Sequence, residues 1–397
     1  MGDERVGLVL SGAAARGPYQ AGALSVLVPA LREQGREPVV LLGTSSGGIS
    51  ATLLAQFADT GDDAGQHVAD VWTGFGQVFD NPVLDDAGLR VVGRAFLAGS
   101  PWERLVGPVA SLLDTAPLRR HAEEIFDADR VAAHVRAGRP ETLAVAATVC
   151  PTDGAAARSR LFLLGREPVR PPDDPAVDVA AVDRIDLSHV LASAAIPVAF
   201  PPEYVAEPPR FRGYYVDGGV RLNAPVDAAL ACGVTRLVVV SGHSVGPPPS
   251  PTPVDAGSPP PDTAATAALS VRAVLTDGLA DDLHALGLRN RWLEGVADVL
   301  PEDRRPYPRV PYLLVAPRDG QLARLAADTF RPSALPLDAN SAVGRLLDAL
   351  GDGLGRDELL SHILFDGEYA KQQVELGRAH AVQSLAAGWT YDPPGAA

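Results

Sequence analysis

Gly43-Thr44-Ser45-Ser46-Gly47 fits the pattern G-x-S-x-G. Such a pentapeptide turns a strand sharply into a helix, and its small flanking residues let the central serine hydroxyl stand clear of the sheet. The start of the following helix adds N–H groups and partial positive charge where acyl transfer develops negative charge. Ser45 is therefore a candidate nucleophile, with Gly43, Ser46 and Gly47 supporting the turn. A serine needs a base. His243, His284, His362 and His380 fall late enough to complete a Ser-His-Asp arrangement, and His243, just past a strand-like run, is the foremost of them. The other candidate is Asp217 in Asp217-Gly218-Gly219, since a carboxylate whose pKa is raised by burial can accept the serine proton directly. Gly218 and Gly219 would let the backbone pass close to the nucleophile. A third element, Ser11-Gly12-Ala13-Ala14-Ala15-Arg16-Gly17, offers successive backbone N–H groups able to cradle an oxyanion, with Arg16 steadying the loop and Gly17 closing it. It is no nucleotide loop: a Gly-Lys-Ser/Thr ending is absent, and Ala14 stands where G-x-G-x-x-G has its middle glycine.

The elements that must position these residues are legible in the hydrophobic pattern. Residues 6–10 are fully apolar and end at Ser11-Gly12, as a strand buried on both faces does. Pro18 suits a first helical turn, and Leu24, Leu27, Val28 and Leu31 share one helix face. Gly35 and Pro38 close that helix. Residues 39–42 form a second strand into Gly43, and Ile49, Leu53 and Phe57 continue at helical spacing. Strand, glycine turn and helix thus occur twice in succession, which is how a parallel sheet opens. Further strands are expected at 143–149, 160–164, 214–216, 237–240 and 311–315. Helices are expected from Pro225 to Gly233, over most of 263–299 and over 366–386. Residues 168–175 read as a loop, and the proline-punctuated 193–202 cannot be an ordinary helix. Residues 59–129 read as a helical insertion over the sheet, carrying Trp72, Phe75, Phe79, Phe96 and Trp102. Residues 246–261 hold eight prolines and read as an exposed loop or linker.

Charge and composition exclude several classes. With 34 basic and 49 acidic residues among 397, the net charge of −15 argues against nucleic acid as a partner. It argues equally against electrostatic docking on an anionic membrane. Two cysteines, Cys150 and Cys232, allow neither a disulfide framework nor a four-thiolate zinc site. No apolar leader opens the chain and no apolar run is long enough to span a bilayer, so a cytoplasmic protein is expected.

Taken in order, Ser11-Gly12-x-x-x-Arg16-Gly17 with Tyr19-Gln20-Ala21-Gly22, the pentapeptide at 43–47, the segment 193–202 and Asp217-Gly218-Gly219 resemble the patatin-like phospholipase family. The resemblance covers about residues 5–240. It implies an α/β protein with a three-layer α/β/α fold, a central mostly parallel sheet and a helical insertion. The domain organisation expected with it is a catalytic core over 5–240, a proline-rich loop at 246–262, and C-terminal helices with one strand over 263–390 completing the same domain. The activity implied is cleavage of carboxylic esters of lipids or phospholipids through an acyl-enzyme. Ser45 would be the nucleophile, Asp217 the general base and the 12–14 loop the oxyanion hole, with no metal or cofactor, while 193–202 would be structural. One departure stands out. The family loop is typically Gly-Gly-Gly-x-Arg/Lys-Gly, and here Ala13 and Ala14 replace two glycines. Where a position needs positive φ, alanine costs about 1 kcal/mol or more, or turns its donor away. The alternative is therefore a weakened or inactive relative that binds lipids or fatty acids or serves a regulatory role. Apolar residues within 71–113 would line an acyl channel or form a lid, although core packing accounts for most of them. Residues 51–100 carry seven acidic and two basic side chains, so any transient membrane contact must rest on apolar residues.

Overall fold

The computed structural model describes residues 4–78, 116–331 and 351–395, apart from 152–153, 198, most of 247–259, 274–277, 298, 301–303, 306 and 352. Expectations for Phe79, Phe96, Trp102 and most of the insertion, and for the prolines at 247–252, lie outside the described residues.

The chain opens with β1 (Val6–Leu10), a 3-10 turn (Ala14–Arg16) and α1 (Gly17–Glu33), then β2 (Pro38–Thr44) and α2 (Ser46–Gln56). Of the insertion, α3 (Ala64–Val78), α4 (Ala116–Ile125) and α5 (Ala128–Arg136) are described. Next come β3 (Thr142–Val149), β4 (Ser159–Gly165), β5 (Val177–Val182), α6 (Leu187–Ser193), β6 (Glu203–Val205), β7 (Gly213–Asp217), α7 (Val226–Ala231) and β8 (Arg236–Val240). The remainder is α8 (Thr263–Arg272), α9 (Gly278–Gly295), β9 (Tyr312–Val315), α10 (Gln321–Thr329), α11 (Gly353–Ile363) and α12 (Gly367–Ala387).

These strands form one sheet in the order β5-β4-β3-β2-β1-β8-β9, with β7 on β3 and β6 on β7. From β3 to β9 the pairing is parallel, and β4 pairs β5 in parallel too. Among the described strands, the β3–β4, β3–β7 and β6–β7 pairs are the antiparallel ones. Successive side chains of a strand face opposite sides of the sheet, and the two sides bury different partners. Leu8 and Leu10 share a core with Leu24, Leu27 and Leu31 of α1 and Val374 of α12. Val9 packs instead with Val226 and Ala229 of α7 and with Leu279, Leu283 and Leu286 of α9. Helices thus cover both faces of a mostly parallel sheet, giving three layers. Coverage on both sides is also why β1, β2, β3 and β8 are almost unbroken apolar runs.

The topology decides where a site can form. β1 lies between β2 and β8, so the chain order reverses there, and open α/β sheets bind ligands at the carboxyl ends of strands beside such a reversal. Ser11, Ser45 and Ser241 are the first residues beyond β1, β2 and β8. β7 ends at Asp217, which lies opposite Ala147 near the end of β3. Among the described residues no helix is long and apolar enough to cross a membrane, and Cys150 and Cys232 are both free thiols.

Candidate active site

Ser45 occupies the corner between β2 and α2 with φ 55° and ψ −126°, a conformation that costs a residue with a side chain about 1–3 kcal/mol. The surrounding backbone enforces it. A Cβ on Gly47 would sit 2.3 Å from the Leu10 carbonyl oxygen, and one on Gly43 would sit 2.2 Å from the Gly47 carbonyl oxygen. Only glycines let β1, β2 and α2 meet this closely. The Ser45 N–H donates to Ser193 Oγ at 2.8 Å, and the Ser193 hydroxyl donates onward to the Ala146 carbonyl at 2.5 Å. Thr44 is tied down from the other side, its hydroxyl donating to the Leu222 carbonyl at 2.9 Å.

The Ser45 hydroxyl donates to Asp217 Oδ2 at 2.5 Å. Oδ1 of the same carboxylate accepts from the Gly219 N–H at 2.7 Å, and the Asp217 N–H donates to the Ala195 carbonyl at 2.8 Å. The two side chains come from residues 172 positions apart in sequence. Both are buried, Ser45 at 4% and Asp217 at 5% exposure. Burial pushes the Asp217 carboxyl up to about 6, against the opposing pull of the bonds from Ser45 and Gly219. A carboxylate with that pKa is ionised at neutral pH yet basic enough to hold a proton in passing, which suits a general base.

The loop after β1 closes the site. The Gly12 N–H is committed to the Asn223 carbonyl at 2.9 Å, so Gly12 contributes clearance rather than a donor: a Cβ there would lie 2.3 Å from Asn223 Oδ1 and 3.2 Å from Ser45 Cβ. The Ala13 N–H donates to Ser46 Oγ at 3.0 Å, next in the chain to Ser45. Ala14 opens the 3-10 turn, where a first-turn amide has no acceptor within the turn. Its φ is 51°, so the substitution of glycine by alanine falls on a left-handed position. Ala14→Gly is accordingly expected to raise the unfolding free energy by up to about 1 kcal/mol in urea titrations, the relieved strain exceeding the entropy glycine adds to the unfolded chain. A destabilised variant would show that this backbone carries no strain.

Arg16 is buried. Its guanidinium pairs with Glu358 at 2.7 Å and donates to Ser361 Oγ at 2.5 and 3.1 Å, both on α11. Gly17 begins α1. None of the four late histidines is hydrogen-bonded to Ser45: His243 bonds Gly12 and Arg16, His380 bonds the Tyr19 hydroxyl at 2.8 Å, His362 packs against His243, and His284 is exposed. The partner of the serine hydroxyl is a carboxylate.

Asn223, Glu358 and Ser361 have no role in the sequence pattern, and Ser193 has one only as part of the structural 193–202 block, where its hydroxyl braces the Ser45 amide.

A sequence model described as patatin-like phospholipase matches residues 8–230, a span that includes Ser45 and Asp217. No curated protein matches the chain. Among solved structures, that of VipD from Legionella pneumophila aligns with 15% identity and a TM-score of 0.38, covering 98% of this chain and 68% of that one. So loose a likeness supports nothing about the site.

Proposed function

Because this chain belongs to the patatin-like phospholipase family, we propose that it is a lipid acyl hydrolase working through a serine–aspartate dyad. The observation that carries the reading is the buried 2.5 Å hydrogen bond from the Ser45 hydroxyl to Asp217 Oδ2. In this reading Asp217 takes the Ser45 proton as Oγ attacks the ester carbonyl carbon. The negative charge that forms on the carbonyl oxygen is met by the Ala13 and Ala14 amides and the N-terminus of α2. An oxyanion is a stronger acceptor than the Ser46 hydroxyl, because charge-assisted bonds are about twice as strong as neutral ones, and so takes over the Ala13 N–H. Collapse breaks the ester C–O bond, Asp217 returns its proton to the leaving alcohol, and the acyl group stays on Ser45. Water then attacks the acyl-enzyme while Asp217 accepts its proton. A second collapse frees the fatty acid and restores the Ser45 hydroxyl. Residues 263–390 belong to the same unit in this reading, supported by β9 on β8 and by α12 in the core with α1.

Hydrolysis of p-nitrophenyl esters across pH tests the base. Asp217 acts only when ionised, so kcat/KM is expected to fall about tenfold per pH unit below about 6 and to level off above it. A rate that keeps climbing through pH 8 would contradict a carboxylate base. One observation favours a second reading, a lipid- or fatty-acid-binding relative with little activity: Ala14 is held at positive φ. That reading expects fatty-acid binding without ester turnover in the same assay.

A further inference from the structure

We propose that His243 is a positioning residue that aims the Gly12–Ala13 peptide at the nucleophile, held for that task by Arg16 and, through Arg16, by Glu358 and Ser361 of α11. This deepens the reading of Ser45 as a nucleophile served by an oxyanion hole, and rests on it.

A guanidinium only donates hydrogen bonds. Arg16 Nη1 lies 3.1 Å from His243 Nδ1, so Nδ1 must be the bare, accepting nitrogen. A backbone carbonyl only accepts, and His243 Nε2 lies 3.1 Å from the Gly12 carbonyl oxygen, so Nε2 carries the proton. Arg16 thus selects the one neutral tautomer able to bond Gly12. Burial and the neighbouring Arg16 charge push the ring down to about 3, which keeps it neutral.

The carbonyl of Gly12 belongs to the same rigid peptide unit as the N–H of Ala13, and in a trans peptide the two point in opposite directions. His243 Nε2 at 3.1 Å and Asn223 Nδ2 at 3.2 Å pull on the carbonyl. The N–H at the other end therefore faces the 45–46 turn, where it reaches Ser46 Oγ at 3.0 Å. Arg16 is itself fixed by the 2.7 Å ion pair to Glu358 and the bonds to Ser361. The Ser361 hydroxyl is anchored in turn, donating to the Glu358 carbonyl at 2.6 Å. A chain of contacts thus runs from a helix more than 340 positions away in sequence to a single amide beside Ser45. A histidine suspected as the base of a triad serves one step behind the reacting atoms.

The test compares His243→Gln, which keeps a donor near the Nε2 position, with His243→Asn, which is too short to reach Gly12. The expected result is a fall in kcat of about 10²-fold for H243N, the loss typical of one misaligned oxyanion donor, with KM changed less than about threefold. H243Q is expected to stay within about tenfold of the unmodified chain. Inhibition by a trifluoromethyl ketone, whose adduct places an oxyanion at the same amide, should weaken in H243N in step with kcat, whereas binding of the fatty-acid product should not. Glu358→Gln supplies the same comparison from the far end of the chain of contacts should H243N not fold, with kcat lowered and KM kept. ¹⁵N NMR of the unmodified protein should show His243 protonated at Nε2 and bare at Nδ1. Wild-type kcat in folded H243N and E358Q, or a proton on Nδ1, would overturn the proposal in an active enzyme. No ester turnover by the unmodified chain would instead overturn the hydrolase reading itself, and with it the purpose assigned to His243.

Discussion

Ser45→Ala is expected to lower ester hydrolysis by about 10⁴-fold or more, to the level that binding and the oxyanion donors alone sustain. The size follows from the chemistry. Without Oγ no acyl-enzyme forms, and Asp217 is left to activate water in a site built around an atom that is gone. The fold should survive, because the bonds that hold the corner run through the Ser45 amide, Ser193 and Thr44 rather than through the lost hydroxyl. Far-UV circular dichroism and thermal unfolding of the variant check that point. Retention of more than about a hundredth of the activity would remove Ser45 from the mechanism.

Asp217→Asn is expected to act in opposite directions on rate and stability. The amide keeps an oxygen for the Gly219 N–H but cannot take a proton, so turnover should fall about 10³- to 10⁴-fold, the upper range for loss of a general base. Stability should rise. Burial lifts the Asp217 carboxyl from 3.8 to about 6, so between those values the folded chain holds more protons than the unfolded one. Stability is therefore fully present below about pH 4 and is lost as pH rises through about 6. At about 1.4 kcal/mol per pH unit, the ionised carboxylate costs the fold on the order of 3 kcal/mol at pH 8. Asparagine carries no charge and escapes that cost. Urea unfolding at pH 8 should show D217N more stable than the unmodified chain, with the advantage vanishing near pH 4. Lower stability at pH 8 would mean that the carboxylate is well solvated in the folded state, and a solvated carboxylate is a poor base for a serine.

The strands that frame the site were legible because they are buried on both faces. β1, β2, β3 and β8 read as apolar runs, and each glycine-containing turn after β1 and β2 marked its end. β5 is not legible in the pattern: VDVAAV is a short run interrupted by Asp178 and follows a proline-rich loop, and as an edge strand it has mixed burial. β6 has three residues and pairs only with β7, too short a segment for any period to show. α10 and α11 were missed as separate elements, and with them the partners of Arg16. In the local pattern Arg16 looks like a brace for its own loop, whereas its charge is answered by Glu358 across the fold. A local pattern has no term for such a contact. Ser45 was singled out by its turn, which is local. Asp217 is one of several possible bases until the four ordered blocks are taken together, because the residues between it and Ser45 must first fold into a sheet that brings β2 and β7 end to end along the same edge of β3, opposite β4. The strain at Ala14 was foreseen as a condition, since loop composition names the residue but only the folded backbone sets its φ.

The most direct test of the Ser45–Asp217 dyad is the site of covalent modification. A fluorophosphonate reacts with a serine whose proton is being drawn off and leaves a stable adduct that peptide mass spectrometry assigns to one residue. The adduct is expected on Ser45, approaching one per chain at pH 8, and absent from both S45A and D217N. An adduct on another residue, or full labelling of D217N at Ser45, would contradict the dyad.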